Sequence, residues 1–306
     1  MPGMVHYIPI LTTFVAIAFA PVVFRRWQRR KPAPHLWWWA LGIALYGVGT
    51  LTESLTTLFG WNETVFRSWY IAGALLGGAP LAQGTVYLLF SRRTANIMAG
   101  VLTAVVAVAA ITVFATPIQM ELVEAHRLTG AVMEWQWVRL FSPFINTYAF
   151  IFLVGGAAWS AWHFRDGADA RNRFVGNVLI AVGALLPGIG GMATRMGHTE
   201  VLYVMELIGL LLIWSGYRFN VRPGTARGAP APSPEQVAVM VSVIFLPLSA
   251  PPLPTWTRVI TSRPPSTFTE FTGFTLPPPQ RMLAPNWSST SSTPNQPGAP
   301  LSLIHI

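Results

Sequence analysis

An all-α, polytopic bundle of seven transmembrane helices is the fold the sequence predicts, on three observations. Only 10% of the 306 residues are charged and 52% are hydrophobic, whereas a soluble domain carries about 25% charged residues. Seven apolar runs reach the roughly 20 residues that a helix needs to cross a hydrocarbon core about 30 Å thick. The basic residues fall in short clusters between those runs, as they do at membrane surfaces. Helices follow because a backbone in lipid has to satisfy its own polar groups. No stretch alternates with the period of a barrel strand.

The runs lie at about 4–24, 36–60, 68–91, 95–116, 140–163, 174–194 and 199–218. Span one has no Lys or Arg before Arg25. It lacks the basic flank of a signal peptide and reads as an uncleaved anchor, stopped by Arg25, Arg26, Arg29, Arg30 and Lys31. Span two opens on Trp37, Trp38 and Trp39 and ends near Trp61; span three starts at Trp69 and Tyr70. Trp159 and Trp162 close span five. Such residues favour the headgroup level, where an amphipathic ring is half wet. Two spans carry proline beside glycine: span three at Gly77-Gly78-Ala79-Pro80, and span six at Pro187-Gly188-Ile189-Gly190-Gly191. Both are expected to kink. Carbonyls freed at Pro80, or at Pro187 and Gly188, can serve a binding site or simply bend a helix.

Charge sets the orientation. Loops one, three and five and the segment after span seven carry Arg25 to Lys31, Arg92 and Arg93, Arg165 to Arg173, and Arg218 to Arg227. The other side shows Arg67, Arg127, Arg139 and Arg195. The basic side is expected to be cytoplasmic, with the N-terminus outside. The membrane domain is residues 1–222. Seventeen of the 26 prolines lie between Pro223 and Pro300, so 223–300 is expected to be a disordered tail. Residues 301–306, Leu-Ser-Leu-Ile-His-Ile, read as a translated transposon-end sequencing adapter, which leaves the frame of the preceding tail open.

Polar residues inside the spans are the candidates for chemistry. Tyr46, Thr50, Glu53 and Thr57 on span two are spaced by four, three and four and share one helical face. Glu53 is about 10 Å from the outer end at 1.5 Å per residue. A carboxylate at that depth costs on the order of a few kcal/mol unless paired or wet. It is either a ligand, ion or proton site, or a buried hydrogen bond that fixes helix packing. Span seven carries Tyr203 and Glu206 at a similar level, and span five carries Ser142 and Asn146. Arg195 and His198 cap the outer side of spans six and seven. If these faces converge, they form an outer-half polar pocket in which Arg195 neutralises one carboxylate and the other shares a proton. Gln83 and Tyr87 offer a second polar contact in the inner half.

Several chemistries are excluded or unsupported. Cysteine is absent, which removes disulfides and thiolate sites. No basic stripe with interleaved aromatics suggests a nucleic-acid partner. The histidines are scattered and no ligand motif supports haem; no cofactor is expected. Seven-helix rhodopsins bind retinal through a lysine in span seven, and the one lysine here is Lys31, in a loop. Membrane zinc hydrolases of the ceramidase-like type place a histidine in span seven, which this chain lacks. Three-plus-one-plus-three sugar transporters share the topology; Pro9, Pro143 and Pro187 fit their prolines, but span two has none.

The run Phe66-Arg67-Ser68-Trp69-Tyr70-Ile71-Ala72-Gly73-Ala74, leading to Gly84-Thr85-Val86-Tyr87, resembles uncharacterised bacterial seven-helix membrane proteins. That resemblance implies a bacterial inner-membrane location and no specific activity. The first reading is a small-ligand-binding or sensory role, with the pocket lined by Tyr46, Thr50, Glu53, Thr57, Asn146, Arg195, Tyr203 and Glu206. The second is a secondary transporter or proton-coupled carrier using the same carboxylates. No nucleophile–base pair or metal cluster suggests an enzyme. The expected partners are the bilayer and a small molecule; no signalling partner is identified.

Overall fold

Apolar runs bounded by proline, glycine and charge fold as helices throughout the computed structural model, which describes residues 3–165 and 171–221. A short 3-10 turn, Met4–Tyr7, leads into α1 (Ile8–Arg29), and α2 is Pro34–Phe59. Then come α3 (Glu63–Trp69), a π turn at Tyr70–Leu75, α4 (Ala79–Leu89) and α5 (Arg92–Ala115). After a loop, α6 (Phe141–Ala149) joins α7 (Gly156–Phe164) through a second π turn at Phe150–Gly155. The last two are α8 (Arg171–Arg195) and α9 (Thr199–Val221). No strand occurs among the described residues; two isolated bridges, Ile118 with Met133 and Glu124 with Arg127, tie the loop before α6. The expectations for the 223–300 tail, and for the segment 301–306, lie outside the described residues.

Six helical stretches among the described residues are long and apolar enough to cross a membrane: Met4–Arg29, Glu63–Leu89, Arg92–Ala115, Gln136–Phe164, Arg171–Arg195 and Thr199–Val221. The chain is a multi-pass membrane protein. With 26 residues, α2 is as long as these, but it is not among the six. Its second half reads Thr50, Thr52, Glu53, Ser54, Thr56 and Thr57, all buried. It packs against α1, α3, the first π turn and α4. By contrast, α5 lies at the edge, with 22% of its most apolar stretch buried and Ile97, Val101, Val108, Ile111 and Phe114 exposed. Large apolar side chains face outward and polar ones face inward, as a lipid solvent requires.

Two ends can be distinguished. A basic end gathers Arg25, Arg26, Arg29, Arg30, Lys31, Arg92 and Arg93. The opposite, loop end carries the connection from Thr116 to Trp135. At the loop end Arg67 is buried, pairs with Glu63 at 2.7 Å, and donates to the carbonyls of Thr116 (2.9 Å) and Val113. It thereby satisfies carbonyls that the C-terminus of α5 would leave orphaned.

The proline sites differ from each other. Pro187 stays inside a continuous α8. Pro80 does not kink a continuous helix: the chain opens between Leu75 and Ala79, and Pro80 sits in the first turn of α4. Proline is tolerated there because its missing N–H would be unpaired anyway. The two π turns have no proline and were not evident from the sequence.

The closest helix pair is α8 with α9. A Cβ at Gly209 would stand 2.6 Å from the Gly183 carbonyl oxygen, and the reverse distance is also 2.6 Å. The backbones therefore touch, as small residues permit in membranes. Gly209→Val is expected to cost about 1–3 kcal/mol through overpacking, read as a lower melting temperature in detergent. Gly188→Ala, where an added Cβ meets nothing within 4 Å, is expected to leave the melt unchanged or raise it. Equal behaviour of the two variants would contradict this packing.

Candidate functional site

The spacing of Tyr46, Thr50, Glu53 and Thr57 puts four polar groups on one stripe of α2, and each finds a different element. The Tyr46 hydroxyl donates to the backbone carbonyl of Glu206 on α9 at 3.0 Å. Thr50 Oγ1 lies 3.0 Å from Thr13 Oγ1 on α1. Thr57 Oγ1 donates to the His6 carbonyl at 3.2 Å. Glu53, 4% exposed, accepts a hydrogen bond on Oε1 from Trp69 Nε1 at 3.0 Å.

Trp69 reaches Glu53 because α2 and the first π turn come together. A Cβ on Gly49 would lie 3.0 Å from the Gly73 Cα, so only a bare backbone fits there. The turn begins directly after Trp69. From the sequence Trp69 reads as an interface anchor; its indole N–H is instead spent inside the protein.

The second oxygen, Glu53 Oε2, is buried and has no donor beside it, and Glu206 Oε2 is in the same position. The two carboxyl groups lie within hydrogen-bonding reach of each other. As a whole residue Glu206 is half-buried, but this oxygen is sealed from solvent. Tyr46 and Tyr203 both lie within the electrostatic reach of the pair.

Toward the loop end a column of polar groups continues. The buried Tyr203 ring meets the His6 ring edge-on at 5.7 Å. His6 Nδ1 is buried without a partner. Arg127 pairs with Glu124 at 2.9 Å and donates to the Thr194 carbonyl at 3.4 Å, while its buried Nε has no acceptor. His126 Nδ1 lies 3.4 Å from the Thr56 carbonyl. His6, Trp69 and Arg127 are thus neighbours of the site that the span pattern does not single out. Among the described residues, no three His, Cys, Asp or Glu side chains are grouped to hold a metal ion.

Two residues expected in the pocket sit elsewhere. Asn146 is exposed and donates to the Ala74 carbonyl at 3.1 Å and to Ser142 Oγ at 3.0 Å. It satisfies a carbonyl in the first π turn rather than facing Glu53. Arg195 is exposed at the end of α8 and hydrogen-bonds neither carboxyl. In the other half, Gln83 donates to the Ala95 carbonyl (3.0 Å) and accepts from Tyr148 (2.5 Å). Tyr87 donates to Asn96 at 2.7 Å. No family model, curated protein or solved structure matches the chain.

Among the described residues, the side-chain donor to Glu53 is Trp69. Trp69→Phe is expected to destabilise the protein by about 1–3 kcal/mol, the cost of a buried acceptor left unpaired. In a double-mutant cycle with Glu53→Leu, the second change is expected to recover part of that loss, with a coupling of about 0.5–3 kcal/mol. Additive losses in thermal melts would show that the bond carries no stability.

Proposed function

We propose that this is a seven-span protein of the bacterial inner membrane, N-terminus outside, that binds and releases a proton at the Glu53–Glu206 pair as a proton-coupled carrier. The observation that carries the reading is a pair of interacting carboxyls on α2 and α9, each with a buried Oε2 that has no hydrogen-bond partner. Two facing carboxylates in a dry site cannot both be ionised, so the pair holds one proton between them. Intramembrane carboxyls that face one another are the usual components of proton relays. One carboxyl is on α2 and the other on α9, so the proton can leave only as these two helices separate and water reaches the pair. That requirement couples a proton step to a helix movement. The break before Pro80 and the proline inside α8 at Pro187 supply places where such a movement can occur.

The seven-span count rests on α2, whose polar face is buried against other helices while Val48, Leu51 and Leu58 stay exposed as lipid contact requires. The orientation rests on the clustering of Arg and Lys at one end. A ligand-binding or sensory role is the second reading. It is favoured by the buried, unpartnered Nδ1 of His6 and Nε of Arg127 above the pair, donors that a small anionic molecule would satisfy.

Infrared spectra of the protein in vesicles are expected to contain a protonated-carboxyl band at neutral pH that disappears in both Glu53→Gln and Glu206→Gln. A pH gradient is expected to drive proton flux into the same vesicles, lost in Glu53→Gln. A band without flux, together with thermal stabilisation by small carboxylic acids that His6→Ala abolishes, would select the sensory reading. Absence of the band would overturn the proton site.

A further inference from the structure

At the basic end, the turn between α1 and α2 and the start of α5 enclose an open cavity of about 460 Å³. That volume is within the roughly 300–1,000 Å³ typical of ligand clefts. Trp27, Trp37, Pro32 and Pro34 form its apolar walls, and Lys31 and Arg92 supply two cations. The Lys31 ammonium lies 4.4 Å from the centre of the Trp27 ring, and the Trp27 and Trp37 rings are 5.2 Å apart. The aromatic wall thus holds one of the cations at the rim.

Among the described residues, neither cation has an acidic partner. The acidic residues among the described ones are Glu53, Glu63, Glu121, Glu124, Glu134, Glu200 and Glu206. Glu53 and Glu206 face each other, and Glu63 and Glu124 pair with Arg67 and Arg127. The remaining three belong to the loop end: Glu121 and Glu134 in the 116–135 connection, and Glu200 in the first turn of α9. Arg25, Arg26, Arg29, Arg30 and Arg93 add further positive charge around the cavity. A cleft with this field needs an anion, and two tryptophans at the end of membrane helices place it at headgroup depth.

We infer that this cavity is a binding site for an anionic phospholipid, with the headgroup phosphate between Lys31 and Arg92 and the glycerol end against Trp27 and Trp37. Arginine and lysine both suit a phosphate, one as a fork of donors and the other as a point charge. The apolar walls favour a lipid over a free ion, because a free phosphate makes no use of them. The inference is independent of the carboxyl pair at the other end.

The test uses the purified full chain in detergent, with phosphatidylglycerol or phosphatidylcholine of identical acyl chains, or inorganic phosphate, added in separate titrations. Thermal melting and native mass spectrometry read binding. Phosphatidylglycerol is expected to raise the melting temperature and remain bound, and the other two are not. Lys31→Gln with Arg92→Gln is expected to weaken phosphatidylglycerol binding about thirtyfold, at about fivefold per charge. Arg25→Gln with Arg93→Gln removes the same charge outside the cavity and is expected to retain most of the binding. The conservative Lys31→Arg is expected to bind as the original does, which covers the case in which the double variant folds poorly. Equal loss in both double variants, an equal response to phosphatidylcholine, or an equal response to phosphate would each overturn the site.

Discussion

Glu53 sits on the buried face of α2, and a carboxyl there has to find its hydrogen bonds inside the protein. It does so across two neighbours: the Trp69 indole on one oxygen and the Glu206 carboxyl beside it. Each contact requires something of the surrounding backbone. The Trp69 bond needs Gly49 against Gly73, so that α2 and the first π turn can touch. The Glu206 contact needs α9 beside α2, and Tyr46 holds it there by bonding the Glu206 carbonyl. A neutral hydroxyl pair, Thr13 with Thr50, fastens α1 to the same stripe. One helix face therefore organises α1, the π turn and α9 around it.

The same need for internal partners explains how the broken helix between Glu63 and Leu89 survives in lipid. A π turn and an opening before Ala79 free backbone carbonyls, which water would satisfy in a soluble protein but which must be met by side chains here. Ser142 and Asn146 both donate to Ala74. Trp39 donates to Leu81 across from α2. At the far end of α5, Arg67 reaches the carbonyls of Val113 and Thr116. Polar residues at membrane depth thus divide into two kinds. Most repair a helix irregularity, and their hydrogen bonds close locally. The carboxyl pair differs: Trp69 meets one oxygen of Glu53, but the Oε2 atoms of Glu53 and Glu206 are buried without a donor, which is why the pair stands apart as the candidate for chemistry.

That division marks how much the sequence could tell. The face shared by Tyr46, Thr50, Glu53 and Thr57 follows from helical spacing alone, and the comparable depth of Glu206 follows from counting residues from the span end. Which groups meet does not follow from either. Asn146 has the right depth but the wrong azimuth, and azimuth depends on packing between α6 and the π turn. Arg195 has a plausible charge, but at the last residue of α8 its long side chain extends outward. Arg127 lies within electrostatic reach of Tyr203 instead, from a loop whose path no periodicity encodes. Trp69 was masked by its type: an indole near a span end suits an interface, and only the π turn that follows it turns the ring inward.

Hydropathy also conceals the importance of α2. A transmembrane helix is strongly apolar where lipid touches it, and α5, which has few helix neighbours, is an almost continuous apolar run. A helix shielded on most sides experiences little lipid and is free to carry hydroxyls and a carboxylic acid. Although α2 is not among the six most apolar stretches, its buried face is the one on which a chemical site can be built. That is where the Thr13–Thr50 pair, the Trp69 bond and the carboxyl contact all occur.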